Sequence, residues 1–230
     1  MTRVVDPVLE EIRHQVLRMG NASEAILEKA VRALFRGDAA AAAEVQGDDL
    51  EIDRLDVEID EAVLRALALQ SPVADDLRQV VAAKMIATDL ERVGDLARNV
   101  AKSAIRLADR PDVEPPLRLR ELADEARSLL RAALDAYSDL DVAKAEAVLD
   151  EDDQVDQDED RVIRAAIREL AAHPEHAAQG VDFILVAKNL ERVADHATNI
   201  AEGVILAAQA RNVKHAQKLA DAGMGPPNAR

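Results

Sequence analysis

Aromatic residues are rare in this sequence of 230 residues, and cysteine is missing altogether. It has two phenylalanines, one tyrosine and no tryptophan. Without large rings, a core must be assembled from many small aliphatic side chains, which favours closely packed helices in bundles. The absence of cysteine excludes disulfides, thiolate metal sites and cysteine nucleophiles, and it fits a reducing cytoplasm.

Long apolar runs and catalytic motifs are missing as well. No stretch reaches the roughly 18 apolar residues of a membrane span, and the N-terminus, charged from Arg3 and Asp6 onward, lacks the apolar run of a signal peptide. We therefore expect a cytoplasmic protein that reaches a membrane only through a partner. There is no Gly-rich phosphate loop, nucleophile elbow or zinc-protease motif, which predicts that the protein is not an enzyme.

Basic residues are too few to balance the acids. The chain has 45 Asp and Glu residues against 29 Lys and Arg, a formal net charge of −16. Such a field repels the phosphate backbone of nucleic acids and disfavours a basic pocket for free phosphate. Cations and basic protein surfaces are therefore the expected partners.

What the sequence does contain is typical of an all-α protein. Alanine, leucine, glutamate and arginine, all good helix formers, are abundant. In the first half, capping and breaking residues predict helices over Pro7–Phe35 and Asp38–Gln70. A third helix is predicted to begin with Ser71 as N-cap and Pro72 in the first helical position, and to last until a linker at 108–116.

The second half repeats this order. A helix is predicted over 116–137, and Ser138 or Asp139 is expected to cap the next one. That helix runs to a break at residues 173–174, and a last helix is predicted to end near Gln217.

An internal repeat underlies this order. Nine of the seventeen residues in 89–105, DLERVGDLARNVAKSAI, recur exactly one hundred positions later in NLERVADHATNIAEGVI. Shared composition would not place Glu, Arg, Asp and Asn in one register, so we infer a duplication. The predicted architecture is two tandem, similar three-helix bundles, residues 1–110 and 111–217, followed by a disordered tail, 218–230.

Acidic residues recur at helical spacing in both halves. Glu91 and Asp95 lie on the side of their helix opposite its apolar stripe, with Asn99 one turn further. In the second helix, Asp49, Asp53, Asp56 and Asp60 form a row on one flank of the stripe Ile52, Leu55, Ile59 and Val63. The fifth helix can be aligned with the second at plus 100, which matches more acids, or at plus 103, which matches apolar residues. We prefer plus 103 because burial of the apolar stripe outweighs the matching of exposed acids.

Each repeat then offers two pairs of the form Asp/Glu-x-x-x-Asp, and we expect their side chains to point outward and bind metal ions. Like charges at this spacing are destabilising, and a cation between them reverses the effect. Oxygen ligands suit magnesium, manganese, calcium or iron, and zinc also stays open. The alternative is a solvated acidic face neutralised by Arg54, Arg92, Arg161 and Arg192. The candidate ligands are Asp49, Asp53, Glu91, Asp95, Asp152, Asp156, Glu191 and Asp195, with Asn99, Asn199 and His196 less certain.

These motifs resemble the PhoU family of phosphate-specific transport system accessory proteins. The resemblance covers about residues 6–206 and is most specific in the two LERV(G/A)D helices, in PVADDLR at 72–78 and in IDRLDVEID at 52–60. It implies two three-helix bundles and, in the members that bind metal, multinuclear clusters on paired acidic motifs at the positions given above.

The resemblance also implies a function. Such proteins negatively regulate the phosphate response by linking a phosphate ABC transporter, through its ATPase subunit, to a sensor histidine kinase, and a homodimer is expected. Two other classes stay open at this point: a metal-free acidic scaffold for protein docking, and a carboxylate-bridged di-metal enzyme.

Overall fold

In the part of the chain that the structure, a computed structural model, describes, the protein folds into helices joined by short loops, with no strands. The described residues are 6–110 and 113–214, with the backbone alone for residues 6, 152 and 153. The helices are α1 (Asp6–Arg36), α2 (Ala39–Gln70), α3 (Asp75–Ala108), α4 (Leu117–Asp139), α5 (Val142–Ala172) and α6 (Ala177–Gln209), with a short 3-10 helix at Pro174–His176 before α6. The predicted disordered tail, 218–230, lies outside the described residues.

Two similar three-helix bundles are present, as predicted. Helices α1, α2 and α3 pack against one another, and so do α4, α5 and α6. The two bundles are joined along α3 and α6, which contact each other as extensively as α3 contacts α1. Gly203 shows how close this contact is, because a Cβ there would lie 3.1 Å from Ile86 Cγ1.

One continuous hydrophobic core runs through both bundles. It consists mainly of alanine, valine, leucine and isoleucine from all six helices. Tyr137 and Phe183 are the aromatic side chains buried in it, whereas Phe35 packs at its edge. Small side chains therefore replace rings by letting the central helices approach closely, as the composition predicted.

The second helix of each bundle begins in the same way. Asp38 caps α2 by accepting a hydrogen bond from Ala41 N, and Asp141 caps α5 by accepting from Ala143 N and Lys144 N. The prediction of Ser138 or Asp139 as the cap of α5 is wrong, because α4 continues to Asp139 before the chain turns at Leu140.

Two further helix ends differ from the prediction. Ser71 adopts a left-handed conformation (φ 46°) that ends α2, so it does not cap α3, which begins at Asp75. An Asp pair in the first turn of α3 favours this start through the helix dipole. Helix α6 ends at Gln209 rather than near Gln217, because Ala210 takes a left-handed conformation (φ 56°) there.

Within residues 6–110 and 113–214, none of the helices combines the length and the apolar character needed to cross a bilayer.

Candidate functional site

The first acidic groove lies between α2 and α3 and is formed by Asp53, Asp56, Glu91 and Asp95. Asp53 is exposed, and the other three are half-buried, with 26%, 28% and 31% of their side chains exposed in that order. Burial raises the pKa of Glu91, and the negative charges of Asp95, Asp56 and Asp53 raise it further, although Arg92 lowers it. The four carboxylates are therefore close enough to repel one another.

The second acidic groove lies between α5 and α6 and is formed by Asp156, Glu159, Glu191 and Asp195. Burial raises the pKa of Glu191, and Asp195, Glu159 and Asp156 raise it further against the opposing effect of Lys188. Asp156 and Asp195 are exposed, and Glu159 is buried.

The two grooves correspond residue by residue. Glu91 is opposed by Asp53 and Asp56, and Glu191 by Asp156 and Glu159. The second-helix residues differ by 103 positions and the third-helix residues by 100. The capping residues Asp38 and Asp141 also differ by 103. The predicted plus 103 register is therefore confirmed.

Asp49 corrects the prediction that all these carboxylates point outward. Only 3% of its side chain is exposed, and Arg98 Nη1 donates a hydrogen bond to its Oδ2 at 2.5 Å. Burial raises the pKa of Asp49, while the Arg98 guanidinium opposes that rise. The carboxylate also occupies the space beside Gly94, where a Cβ would lie 2.6 Å from Asp49 Oδ1. Asp49 is thus a buried ion-pair partner at the floor of the first groove.

Asp152, which corresponds to Asp49 in the plus 103 register, falls among the residues whose side chains lie outside the description. Its place in the second groove stays a prediction.

Basic side chains of the protein already neutralise part of each groove. In the first, Lys84 Nζ lies 3.1 Å from Asp56 and 2.5 Å from Asp60, and Arg98 bridges Asp49 and Asp95. In the second, Lys188 Nζ lies 2.6 Å from Glu159.

The arginines expected to neutralise the rows behave differently from one another. Arg92 does so, at 3.5 Å from Glu91 and 3.3 Å from Asp95. Arg54 instead pairs with Glu51 and Glu58, outside the groove. Arg161 pairs with the buried Asp158, at 2.6 Å.

The less certain candidates fall into two groups. His196 Nδ1 lies 2.8 Å from Asp89 Oδ1, and Asn199 Nδ2 donates to the same oxygen at 3.2 Å. This network joins α6 to α3 between the bundles, so His196 and Asn199 are placed at the junction of the repeats. Asn99 is exposed and accepts a hydrogen bond from Lys102 at 3.4 Å.

The spacing of the carboxylates limits how a metal ion could be held. In the described part of the chain, the only three His, Asp or Glu side chains whose ligand atoms all lie within 4.8 Å of one another are His173, Glu175 and His176, which are outside both grooves. Among the described residues, no three carboxylates of either groove are therefore close enough to enclose one ion as they stand. This arrangement suits a hydrated ion such as Mg²⁺, which keeps several of its waters, or a cluster that bridges the oxygens.

The sequence did not predict a role for Glu159 or for the groove cations Arg98, Lys84 and Lys188. It did predict Asp49 as a member of the site, but on the surface. A signal for Asp49 existed, because it lies three residues before Ile52 and so continues the apolar stripe backward. Glycine at position 94, where the second repeat has Ala194, was a second signal that something large lies opposite.

Comparisons with known proteins give the family and the fold. A family model described as PhoU domain matches the chain twice, over residues 16–104 and 119–204. The phosphate-specific transport system accessory protein PhoU homolog of Pseudomonas putida is 33% identical over 210 residues, covering 90% of this chain and 81% of the relative. The protein of the same name from Caulobacter vibrioides (strain NA1000 / CB15N) is 35% identical over 197 residues, covering 84% and 86%.

Two solved structures share the fold. The crystal structure of PhoU from Pseudomonas aeruginosa superposes with a TM-score of 0.86 at 32% identity, covering 90% of this chain and 99% of that one. The phosphate transport system regulatory protein PhoU from Streptococcus pneumoniae gives a TM-score of 0.85 at 26% identity, covering 91% and 99%.

Proposed function

The chain belongs to the PhoU family, and from this premise we propose that it is a negative regulator of the phosphate starvation response and of phosphate uptake. In this role it acts in the cytoplasm and links a phosphate ABC transporter, through the ATPase subunit, to the sensor histidine kinase of a two-component system. The observation that carries the proposal is the double family match, which spans both three-helix bundles. The relatives are named as accessory proteins of a phosphate-specific transport system.

The second part of the proposal is that the two acidic grooves bind metal ions. In the first groove Asp53, Glu91 and Asp95 would hold the ion, and in the second Asp156, Glu191 and Asp195 would do so. Asp49, at the floor of the first groove, and Asp152 remain candidates. The raised pKa values of Glu91 and Glu191 support this, because burial and the neighbouring acids disfavour their charged forms, and a bound cation would offset that cost.

The bound ion would reduce the repulsion between the neighbouring carboxylates of each groove. Mn²⁺, Mg²⁺ or iron fits the oxygen donors, and a zinc ion would fit less well because no imidazole or thiolate is among these ligands. The same grooves would serve as docking surfaces for basic faces of the transporter or kinase, where charge sets the association rate and the register.

A second candidate function is that of a metal-free acidic scaffold. It is supported by the cations already in the grooves, since Lys84, Lys188 and Arg98 show that amino and guanidinium groups fit there. Partner lysines and arginines would then bind the carboxylates directly. Metal analysis of untagged protein distinguishes the two, because this candidate requires no bound ion.

A carboxylate-bridged di-metal enzyme is less well supported. Such sites are enclosed within the core of a helix bundle, whereas both grooves lie at the surface.

A homodimer is also part of the proposal. Leu69 and Val73 at the α2–α3 turn are 74% and 71% exposed, and apolar side chains exposed to this degree are available for association. Sedimentation equilibrium of the full chain tests it.

The regulatory proposal is tested with charge reversal in a host strain that lacks its own copy. We expect the double variant Glu91→Lys, Asp95→Lys to lose repression of a phosphate-starvation reporter in phosphate-rich medium and to lose co-purification with the transporter ATPase. The matched control is Glu121→Lys, Asp124→Lys on α4, which makes the same charge change on exposed side chains outside the grooves. Full repression by the groove variant would contradict the docking role of this surface.

A further inference from the structure

A second kind of site lies at the turn between α5 and α6, away from both acidic grooves. Four side chains meet there: His173, Glu175 and His176 around the short 3-10 helix, and Glu169 in the last turn of α5. Sequence reasoning treated this segment only as a helix break.

The local backbone explains why the two imidazoles come together. Pro174 occupies the first position of the 3-10 helix, where its fixed φ is compatible with the turn and its missing N–H costs no hydrogen bond. His173 precedes this helix as its N-cap, and His176 N donates a hydrogen bond to His173 O at 3.0 Å. This turn brings the two side chains near each other. Their rings are stacked with centroids 5.4 Å apart and planes inclined by 29°.

The potential ligand atoms are close to the spacing that a single ion requires. Those of His173, Glu175 and His176 all lie within 4.8 Å of one another. His173 Nδ1 is 3.3 Å from Glu175 Oε1, and Glu169 Oε1 is 3.9 Å from His173 Nε2 and 4.0 Å from His176 Nδ1. Ligands on a tetrahedral zinc ion, with bonds of about 2.0–2.2 Å, lie roughly 3.3 Å apart, so small side-chain rotations would complete a site.

One atom of the cluster also lacks the partner that burial demands. His176 Nδ1 is shielded from solvent and makes no hydrogen bond within the described residues. A buried imidazole nitrogen without a donor or acceptor is unfavourable, and coordination to a cation satisfies it.

We propose that this turn binds a divalent transition-metal ion, with Zn²⁺ as the best fit, through His173, His176 and the carboxylate of Glu175, with Glu169 as a carboxylate neighbour of both imidazoles. Two imidazole nitrogens with carboxylate oxygens are a zinc donor set, whereas Mg²⁺ and Ca²⁺ take oxygen alone. The site belongs to the second repeat, because the corresponding turn in the first, Ser71 to Asp76, has no histidine. It does not rest on the function proposed above.

The test is zinc binding by the untagged full chain, measured in competition with a zinc indicator. We expect His173→Ala with His176→Ala to lose one bound zinc ion. Each single substitution should lower the affinity for that zinc ion. The loss should be at least the roughly 10–100-fold that follows when an outer-shell partner of a metal site is removed. The matched control is His14→Ala, an exposed histidine 3.5 Å from Glu10 on α1, which should bind zinc as the wild type does.

A second measurement follows the histidines of the wild-type protein directly and separates this site from the grooves. In nitrogen-15 NMR spectra of wild-type protein, zinc should shift the imidazole signals of His173 and His176 first and leave that of His14 in place. Glu91→Gln with Glu191→Gln should keep this response. The proposal is overturned if the double histidine variant binds as many zinc ions with wild-type affinity, or if these two signals do not respond to zinc.

Discussion

The two acidic grooves contain the same carboxylate arrangement but different counter-ions. In both, a glutamate of the third helix faces two acids of the second helix, Asp53 and Asp56 in one case and Asp156 and Glu159 in the other. Among the neutralising residues, Arg92 has a counterpart in Arg192, but the others are not repeated. Arg98 and Lys84 of the first repeat correspond to Thr198 and Ile184, and Lys188 of the second corresponds to Thr88.

This difference distinguishes the carboxylates, which both repeats share, from the basic side chains, which mostly differ between them. The carboxylates recur at matched positions in both bundles, and each bundle solves the resulting repulsion with its own basic side chains. The convergence of acids is therefore the property common to both grooves, and the internal cations are replaceable partners. A metal ion or a partner's lysine that displaced them would act on both grooves alike.

The largest expected effect concerns the floor of the first groove. Gly94→Ala should lower the free energy of unfolding by about 1–3 kcal/mol, because the new methyl group would overlap Asp49 Oδ1 and press on Ile52. Chemical denaturation with urea measures it. The methyl group should cost less in an Asp49→Ala background, where the obstructing carboxylate is gone. An equal cost in both backgrounds would show that Asp49 does not fill this space.

The next largest effect concerns the hydrogen bonds that join α6 to α3 at the junction of the repeats. Asp89→Ala removes the acceptor shared by His196 and Asn199 and should lower the free energy of unfolding by about 1–2 kcal/mol.

The matched control is Asn189→Ala at the corresponding position of the second repeat. In the described part of the chain, the Asn189 amide donates a hydrogen bond only to Leu185 O, within its own helix. Its loss should therefore change the free energy of unfolding by no more than about 0.5 kcal/mol. If thermal or urea unfolding showed equal losses for both variants, the junction would not depend on Asp89.

The smallest effect tests whether the grooves are electrostatically equivalent. Glu91 and Glu191 have pKa values raised above the ordinary 4.5, so the folded protein holds these protons more tightly than the unfolded chain does. The free energy of unfolding should therefore fall as pH rises from 4.5 through the raised pKa values, and this loss persists at neutral pH.

Neutralising either glutamate removes that loss. In metal-free buffer at pH 7, Glu91→Gln and Glu191→Gln should each raise the free energy of unfolding by a few tenths of a kcal/mol, since each removes repulsion between neighbouring acids. Glu51→Gln is the control. A hydrogen bond from Arg54 lowers the pKa of Glu51, so its neutralisation should not stabilise the protein. Unfolding curves from pH 4 to 8 that were the same for the wild type and the two groove variants would contradict the equivalence.

Much of the fold followed from the sequence because its determinants are local or periodic. The repeat of LERV(G/A)D, the apolar stripes and the capping Asp38 placed six helices and the plus 103 register correctly. The helix ends were less accurate. Ser71 and Ala210 end their helices in left-handed conformations that neither residue type predicts.

The site was harder to predict because burial at the flank of a stripe depends on the neighbouring helix. Asp49 continues the apolar stripe of its own helix, but a carboxylate can be buried there only because Arg98 pairs with it and Gly94 on α3 leaves it space. The same holds for the α5–α6 turn. Its histidines could be counted from the sequence, but their stacking depends on the 3-10 geometry of the break.

Manganese binding tests the central claim most directly, namely that both grooves are cation sites. Free Mn²⁺ is followed by electron paramagnetic resonance during titration of the untagged full chain at pH 7, and oxygen-rich grooves should take it in preference to the histidine turn. We predict that Glu91→Gln with Asp95→Asn, and Glu191→Gln with Asp195→Asn, each remove one groove's share of bound manganese, and that combining the four abolishes tight binding. Unchanged manganese binding by the fourfold variant would contradict the account.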